Sequence, residues 1–331
     1  MKLDGSGAWR VLLVGLGQAG MGYDLAPVKE GSVLTHAKAF SLHSDFRLVC
    51  GVDVNPTKRE SFERAYGVPT LPSIREALLA HEVDVCVLAT PTAMHAGQVL
   101  QILDEPKVRA ILCEKPLSNQ IQESRDIVRL CKEKGIQIFS NYGRLSEPGV
   151  REVKLRIESG IFQGPFKGVV WYTKGLLHNG SHFLNLLEFW LGPVTGFLPI
   201  QSGELKDLSH SRDRPDFRVT FLNGEAIFLA HREDDFTYHS IELLGRNGKL
   251  QYESGGQNIG WTYAETDANS HGYKNLAMTC ESIQTGADRC QWHVVTQLAV
   301  ALQGGNAHLC SGQEALDTHE NIEAILTRAN E

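Results

Sequence analysis

The chain has 331 residues, 42% of them hydrophobic and 21% charged, with a formal net charge of -7 and no run of lysine and arginine. That composition excludes a disordered or collagenous chain and gives no footing for a nucleic-acid surface or a membrane patch, so a small-molecule partner is expected. The length fits two domains of roughly 120 to 200 residues each. Seven cysteines, an odd number without a Cys-x-x-Cys pair, sit mostly in apolar runs and are expected to be buried hydrophobes in a reducing compartment. Residues 1–10 carry no apolar core of signal-peptide length, and no later run approaches ~18 apolar residues, so a cytoplasmic location is expected.

In chain order, short apolar strands are predicted at 10–14, 46–52, 83–89, 108–113 and 137–140, with helical patterns between them. This alternation is what a parallel sheet with crossover helices requires. The clearest helix covers 122–134: Ile127, Val128, Leu130 and Cys131 share one side, Glu123 and Asp126 come early, Lys132 and Lys134 late, and Gly135 stops it. Beyond about residue 142 the pattern becomes a helix at 150–159 and then longer strands joined by tight turns. Asn223-Gly224 and Asn247-Gly248 are type I′ hairpin signals, which makes the second sheet largely antiparallel. The capping box Ser311-Gly312-Gln313-Glu314 opens a last helix at 315–328. The expected fold class is α/β, with an N-terminal Rossmann doubly wound parallel sheet at 1–141. A C-terminal α+β domain with an open, largely antiparallel sheet is expected at 142–331.

After the first strand comes Gly15-Leu16-Gly17-Gln18-Ala19-Gly20, a G-x-G-x-x-G, and the second strand ends at Asp53. Gly15 would make the tight turn, Gly17 would let the backbone approach a pyrophosphate, and Gly20 would permit close packing. The Asp53 carboxylate would bond the ribose hydroxyls, which predicts NAD as cofactor. Between Gly20 and Asp53 lie 32 residues, where about 20 is usual. The excess is placed at 21–34, which contains Pro27 and Gly31 and lacks a helical period. It reads either as a flap near pyrophosphate or substrate or as a plain surface loop, with Thr35 as N-cap of a helix at 36–42.

Three further motifs are informative: Thr90-Pro91-Thr92-Ala93-Met94-His95 after the third of these strands, Glu114-Lys115-Pro116 after the fourth, and His178-Asn179-Gly180-Ser181-His182 before an apolar helix. Together with the glycine motif, they resemble the glucose-fructose oxidoreductase / inositol dehydrogenase / MocA (Gfo/Idh/MocA) family over nearly the whole chain. The resemblance implies that Thr90, Pro91, His95 and Glu114 line the cofactor with the glycine loop, and that Lys115 reaches the reacting carbon. It implies a cis Pro116, and a second-domain sheet of which one face forms a homodimer or homotetramer interface. The implied activity moves a hydride between the nicotinamide and a secondary alcohol or ketone of a sugar, sugar derivative or cyclitol.

Removing hydride from a carbinol calls for a base at the hydroxyl and a positive group at its oxygen. His182 suits the first role and Lys115 the second. Where the family commonly reads Asp-x-Gly-x-His, this chain has His178 in place of the Asp. Metal chemistry is not expected, because Gly180 interrupts the histidine pair and no His-Glu-x-x-His is present. Lys174, His178 and Arg144 are candidate contacts to an anionic substituent, and Tyr142 offers a ring face for a sugar. Two other functions stay open: a glycosidase that uses retained NAD for a transient oxidation, and a sugar-sensing regulator without catalysis.

Overall fold

The structure, a computed structural model, describes residues 7–25, 29–200, 213–232, 234–267 and 272–329. The chain forms two compact units, 1–146 with 288–316, and 147–287 with 317–331. The chain therefore crosses between units three times, where the sequence suggested a single crossing near 141, and 288–316 belongs to the first unit. Among the described residues no helix is long and apolar enough to cross a membrane.

The first unit holds the strands β1 (Trp9–Val14), β2 (Phe46–Val52), β3 (Thr70–Leu71), β4 (Val85–Leu88), β5 (Ala110–Cys113) and β6 (Gln137–Ser140). Their order is β3-β2-β1-β4-β5-β6, with every neighbouring pair parallel. Val11, Leu12 and Leu13 in β1, and Val85, Cys86 and Val87 in β4, are fully buried, as strands covered on both faces must be. Helices α1 (His36–Leu42), α2 (Pro56–Tyr66), α3 (Ile74–Ala80), α4 (His95–Ile102) and α5 (Ile121–Glu133) alternate with these strands, and the helix Cys290–Leu302 lies in the same unit. This is a Rossmann fold whose strand order reverses between β1 and β4, where ligands of such sheets bind. At the opposite end of that strand pair, Arg10 forms hydrogen bonds from Nε and Nη2 to the buried Asp84 carboxylate, at 2.8 and 2.9 Å.

The residues between the glycine loop and α1 fold back on themselves. Gly22–Asp24 is a single 3-10 turn, and the Asp24 carboxylate accepts from Leu34 N, Thr35 N and Thr35 Oγ1. Thr35 Oγ1 in turn caps α1 by accepting from Lys38 N, as its position before the helix predicts. Residues 26–28, with Pro27, lie outside the described residues. Further along, Val33 N donates to Asp288 O, so the segment is anchored within its own unit.

The second unit carries α6 (Pro148–Glu158), β7 (Phe166–Tyr172), α7 (Ser181–Leu191), β8 (Val194–Pro199), β9 (Phe217–Phe221), β10 (Gly224–Ala230), β11 (Ser240–Gly245), β12 (Gly248–Glu253), β13 (Asn258–Thr266), β14 (Lys274–Leu276) and β15 (Glu281–Ile283). Among the described residues the strands form one nine-stranded sheet in which only β7 and β10 run parallel. Both expected hairpins are present, but each turn sits one residue earlier. Phe221 pairs with Gly224 and Gly245 with Gly248, so Leu222-Asn223 and Arg246-Asn247 are the turn residues. The glycines open the next strand instead, for lack of room. A Cβ on Gly224 would lie 2.4 Å from Phe166 O, and one on Gly248 would lie 2.6 Å from Thr262 O. The final helix, Gly312–Ala329, begins with the predicted capping box: Glu314 N donates to Ser311 Oγ, and Ser311 N to Glu314 Oε2.

Candidate functional site

A cavity of about 680 Å³ opens at the reversal point of the first sheet, lined by Gly15, Gly17, Gln18, Asp53, Lys58, Ser73, Thr90, Pro91 and Gln98, among others. The three glycines of the motif answer to different constraints. Gly15 has φ +92°, and a Cβ there would lie 2.6 Å from Ala89 O, so the close approach of β1 and β4 demands it. A Cβ on Gly20 would lie 2.0 Å from Gly15 O. Gly17 differs: a Cβ would meet nothing nearer than Lys58 Nζ at 4.0 Å. The chain itself gives no reason for glycine at a cavity-lining position with open space before it. A ligand whose phosphates approach the backbone does.

Asp53, at the carboxyl end of β2, accepts from Leu16 N at 2.9 Å and from Asn55 N at 2.9 Å. Each carboxylate oxygen keeps a second lone pair for a ribose hydroxyl. Lys58 Nζ stands 3.7 Å from Asp53 Oδ2, and Arg59 donates to the backbone O of Asp53. The residues present thus fit a dinucleotide. Of the other residues assigned to the cofactor from the sequence, Ala19, Gly20, His95, Glu114 and Lys115 do not line this cavity. His95 is fully buried, with ring nitrogens 3.0 Å from Thr90 O and 3.1 Å from Pro116 O, so it joins the loop after β4 to the loop after β5.

That second loop carries Glu114 and Lys115, and the Lys115–Pro116 peptide is cis. Glu114 Oε1 lies 2.8 Å from His36 Nε2 and accepts from Asn141 Nδ2 at 2.7 Å. Asn141 Nδ2 also reaches Gln291 Oε1 at 3.4 Å. Burial opposes the charged form of Glu114, yet the His36 and Asn141 hydrogen bonds and nearby Lys115 hold its carboxyl below the usual range. Burial pushes the Lys115 amine down to about 8, Glu114 resisting and the charge of Arg144 assisting. Arg144 is half-buried in the 3-10 turn Gly143–Ser146, whereas Tyr142 is buried and presents no ring face to solvent. Sequence reasoning passed over His36, Asn141 and Gln291. Asn141 alone left a signal, as a polar residue just past a parallel strand's carboxyl end.

In the second unit, Lys174 (φ 64°) and Gly175 (φ 80°) both take left-handed conformations before the π-helical turn Leu176–Gly180, which runs into α7. π-helical turns are frequent at functional sites. Lys174 and His178 are exposed, and His182 is half-buried in the first turn of α7. An acid stands at this turn although the expected Asp is His178. Leu176 N donates to Asp213 O, and a Cβ on Gly175 would lie 2.9 Å from Asp213 Oδ2. His239 is a further residue that sequence reasoning missed: its Nε2 is 2.9 Å from Thr173 Oγ1 and 3.3 Å from Asn179 Nδ2.

Residues 9–142 match the family model of an oxidoreductase family with an NAD-binding Rossmann fold, and the first unit is a fold of that kind. Inositol 2-dehydrogenase of Rhizobium meliloti (strain 1021) is 31% identical over 127 residues, 38% of this chain and 37% of that protein. The 2,7-anhydro-N-acetylneuraminate hydratase of Escherichia coli (strain K12) is 24% identical over 267 residues, 75% of this chain and 63% of that protein. The chain thus matches little more than a third of the first relative's length and under two thirds of the second's. Among solved structures, the WlbA dehydrogenase from Bordetella pertussis, in complex with NADH and UDP-GlcNAcA, has a TM-score of 0.73 at 20% identity, over 98% of this chain and 97% of that one. That is a likeness of fold.

Proposed function

The chain belongs through its Rossmann domain to the Gfo/Idh/MocA oxidoreductase family, and from that premise we propose that it is an NAD-dependent dehydrogenase acting on a secondary alcohol of a sugar, sugar derivative or cyclitol. The observation that carries this reading is Lys115. Its amine stands at the carboxyl end of β5, beside Glu114 and Arg144, and burial depresses it to about 8. A lysine so placed exchanges a proton near neutral pH and carries positive charge when protonated, the two duties that a carbinol oxygen imposes as it becomes a carbonyl. The sequence reading gave the proton to His182; the depressed amine lets Lys115 take it as well as stabilise the oxygen. His182 is then a second proton-handling group whose contribution a separate replacement measures. NAD, when bound, supplies the hydride acceptor.

Gly15, Gly17, Gln18 and Asp53 hold the dinucleotide with Thr90 and Pro91, and Lys174, His178 and Arg144 are the candidate contacts to an anionic substituent. Sugars and cyclitols are the substrate class because inositol 2-dehydrogenase is a sequence relative and the WlbA structure carries UDP-GlcNAcA. A homodimer or homotetramer through the nine-stranded sheet belongs to the same reading. Its exposed Val169 and Leu244 share a face with Ile227, since Val169 pairs with Ile227 and Leu244 with Lys167.

A second reading has its own support. The relative named as a hydratase matches 75% of this chain, and adding or removing water involves no net redox. One experiment addresses both readings: sugars, sugar phosphates, nucleotide sugars and inositols are screened for NADH formation and, in parallel, for product formed without NADH. Net NADH with one of them supports the dehydrogenase. In that assay Lys115→Ala is expected to lower turnover roughly 100- to 10,000-fold with NAD binding unchanged. Product without NADH favours the second reading, and full turnover by Lys115→Ala removes Lys115 from the chemistry.

A further inference from the structure

His36 is fully buried at the first position of α1, and its side chain reaches the Glu114-Lys115 loop through a hydrogen bond. An apolar residue of similar size would fill the same space without a polar cost. The histidine carries such a cost: Nδ1 is buried with no hydrogen-bond partner among the described residues. A ring that leaves one nitrogen unsatisfied in the core is held there by what the other does, and Nε2 lies 2.8 Å from Glu114 Oε1. A carboxylate only accepts, so Nε2 carries a proton and donates it to Glu114 Oε1.

Asn141 Nδ2 donates to the same oxygen, so Glu114 Oε1 takes two donors while its side chain stays only 19% exposed. The carboxylate is thereby fixed from α1 on one side and from the end of β6 on the other. The charged and titratable groups around it include His36 from α1, the buried Cys113 and Lys115 on either side in the chain, Arg144 from the turn after β6, near Lys115, and His95 of α4 beyond Pro116. Gln291, of the helix Cys290–Leu302, completes the ring as a neutral amide. The backbone of α1 is fixed in its turn, because His36 N donates to Ala19 O and Ala37 N to Gly20 O of the glycine loop.

We propose that His36 is a positioning residue for Lys115: by donating from Nε2 it keeps the Glu114 carboxylate fixed and charged beside the amine, and so sets the pH at which Lys115 exchanges its proton. This rests on Lys115 being the proton-handling group of the proposed reaction. Without the donor, the buried Glu114 carboxyl holds a proton more readily, Lys115 loses its counter-charge, and its ammonium gives up a proton at lower pH.

The test reads Lys115 itself, in the full chain without cofactor. Acetylation of Lys115 by an amine reagent is measured by mass spectrometry across a pH series, with a midpoint near 8 expected for the unaltered protein. Glu114→Gln should lower that midpoint by about one unit, the lower end of the effect of one nearby opposite charge, and His36→Leu should lower it in the same direction. His36→Gln, which keeps an N–H donor, should stay near the unaltered value. An unchanged midpoint in either folded variant, His36→Leu or Glu114→Gln, overturns the proposal. Should His36→Leu not fold, imidazole nitrogen NMR of the unaltered protein decides: an Nδ1–H tautomer for His36 overturns the proposal, and Nε2–H supports it. Failure here is distinct from failure of the proposed function, which shows instead as full turnover by Lys115→Ala.

Discussion

Leu16 N donates to Asp53 Oδ2 at 2.9 Å, which ties the glycine loop after β1 to the acid that ends β2. The carboxylate therefore serves two purposes, holding the loop in shape and presenting its remaining lone pairs to the cavity. A phosphate on the ribose would meet that negative charge, so NAD is expected to bind more tightly than NADP. Lys58 Nζ, 3.7 Å from Asp53 Oδ2, would be released by Asp53→Ser to attract such a phosphate. Titration should then show the NAD-over-NADP preference of this variant reduced by roughly tenfold or more, in line with loss of a hydrogen bond to a charged group. Tighter binding of NADP by the unaltered protein would defeat the assignment of Asp53.

The hairpin at β9 and β10 gives a test of register. Gly224 opens a strand at a point where a Cβ would lie 2.4 Å from Phe166 O, whereas Asn223 lies in the turn itself. Gly224→Ala should therefore cost about 1 to 3 kcal/mol as an overpacked contact that backbone cannot yield to cheaply. Asn223→Gly should cost much less. Denaturant midpoints compare the two, and the reverse ranking would return the glycine to the turn.

The legible parts of this molecule were those written in local pattern. The apolar runs of β1, β2 and β5, the Ser311 capping box and the Thr35 cap each depend on residues within a few positions, so the sequence displays them. The first-sheet edge that carries Gly15, Thr90 and Lys115 was also legible, since parallel strands bring their carboxyl ends together. The rest depended on distance. Gly224 answers to a strand more than fifty residues away, His36 to an acid in another loop, and Asp213 to a turn whose own expected acid is a histidine. The return of 288–316 to the first unit was hidden for the same reason, because an amphipathic helix does not state which core it joins.

Asp24 holds the long segment before α1. Its side chain is 2% exposed and accepts from Leu34 N, Thr35 N and Thr35 Oγ1, with Lys38 Nζ at 3.5 Å. Asp24→Ala would leave buried donors unsatisfied, at a cost of about 1 to 3 kcal/mol. A loose flap would not respond in this way. Unaltered stability of the folded variant, measured by urea unfolding, would show that the anchoring contributes nothing.

Lys115 makes stability depend on pH in a direction that can be worked out. Burial lowers its amine to about 8, whereas an unfolded chain has lysine near ~10.4. Between those values the unfolded state binds more protons, so this group's contribution to stability improves as pH rises through the window. Below pH ~8 the ammonium is charged in both states, and its burial is a constant penalty. Lys115→Met removes the penalty but also takes a positive neighbour from Glu114, which still has the His36 and Asn141 donors. The stability of Lys115→Met minus that of the unaltered protein should thus be constant below pH ~8 and fall steadily from there toward pH ~10.4. Because all other ionisable groups are shared, the difference isolates Lys115 and the carboxylate beside it. Urea midpoints for both proteins at half-unit steps from pH 7 to 10 measure it, and a difference that stays flat across that range would mean that the folded protein leaves the Lys115 amine unperturbed.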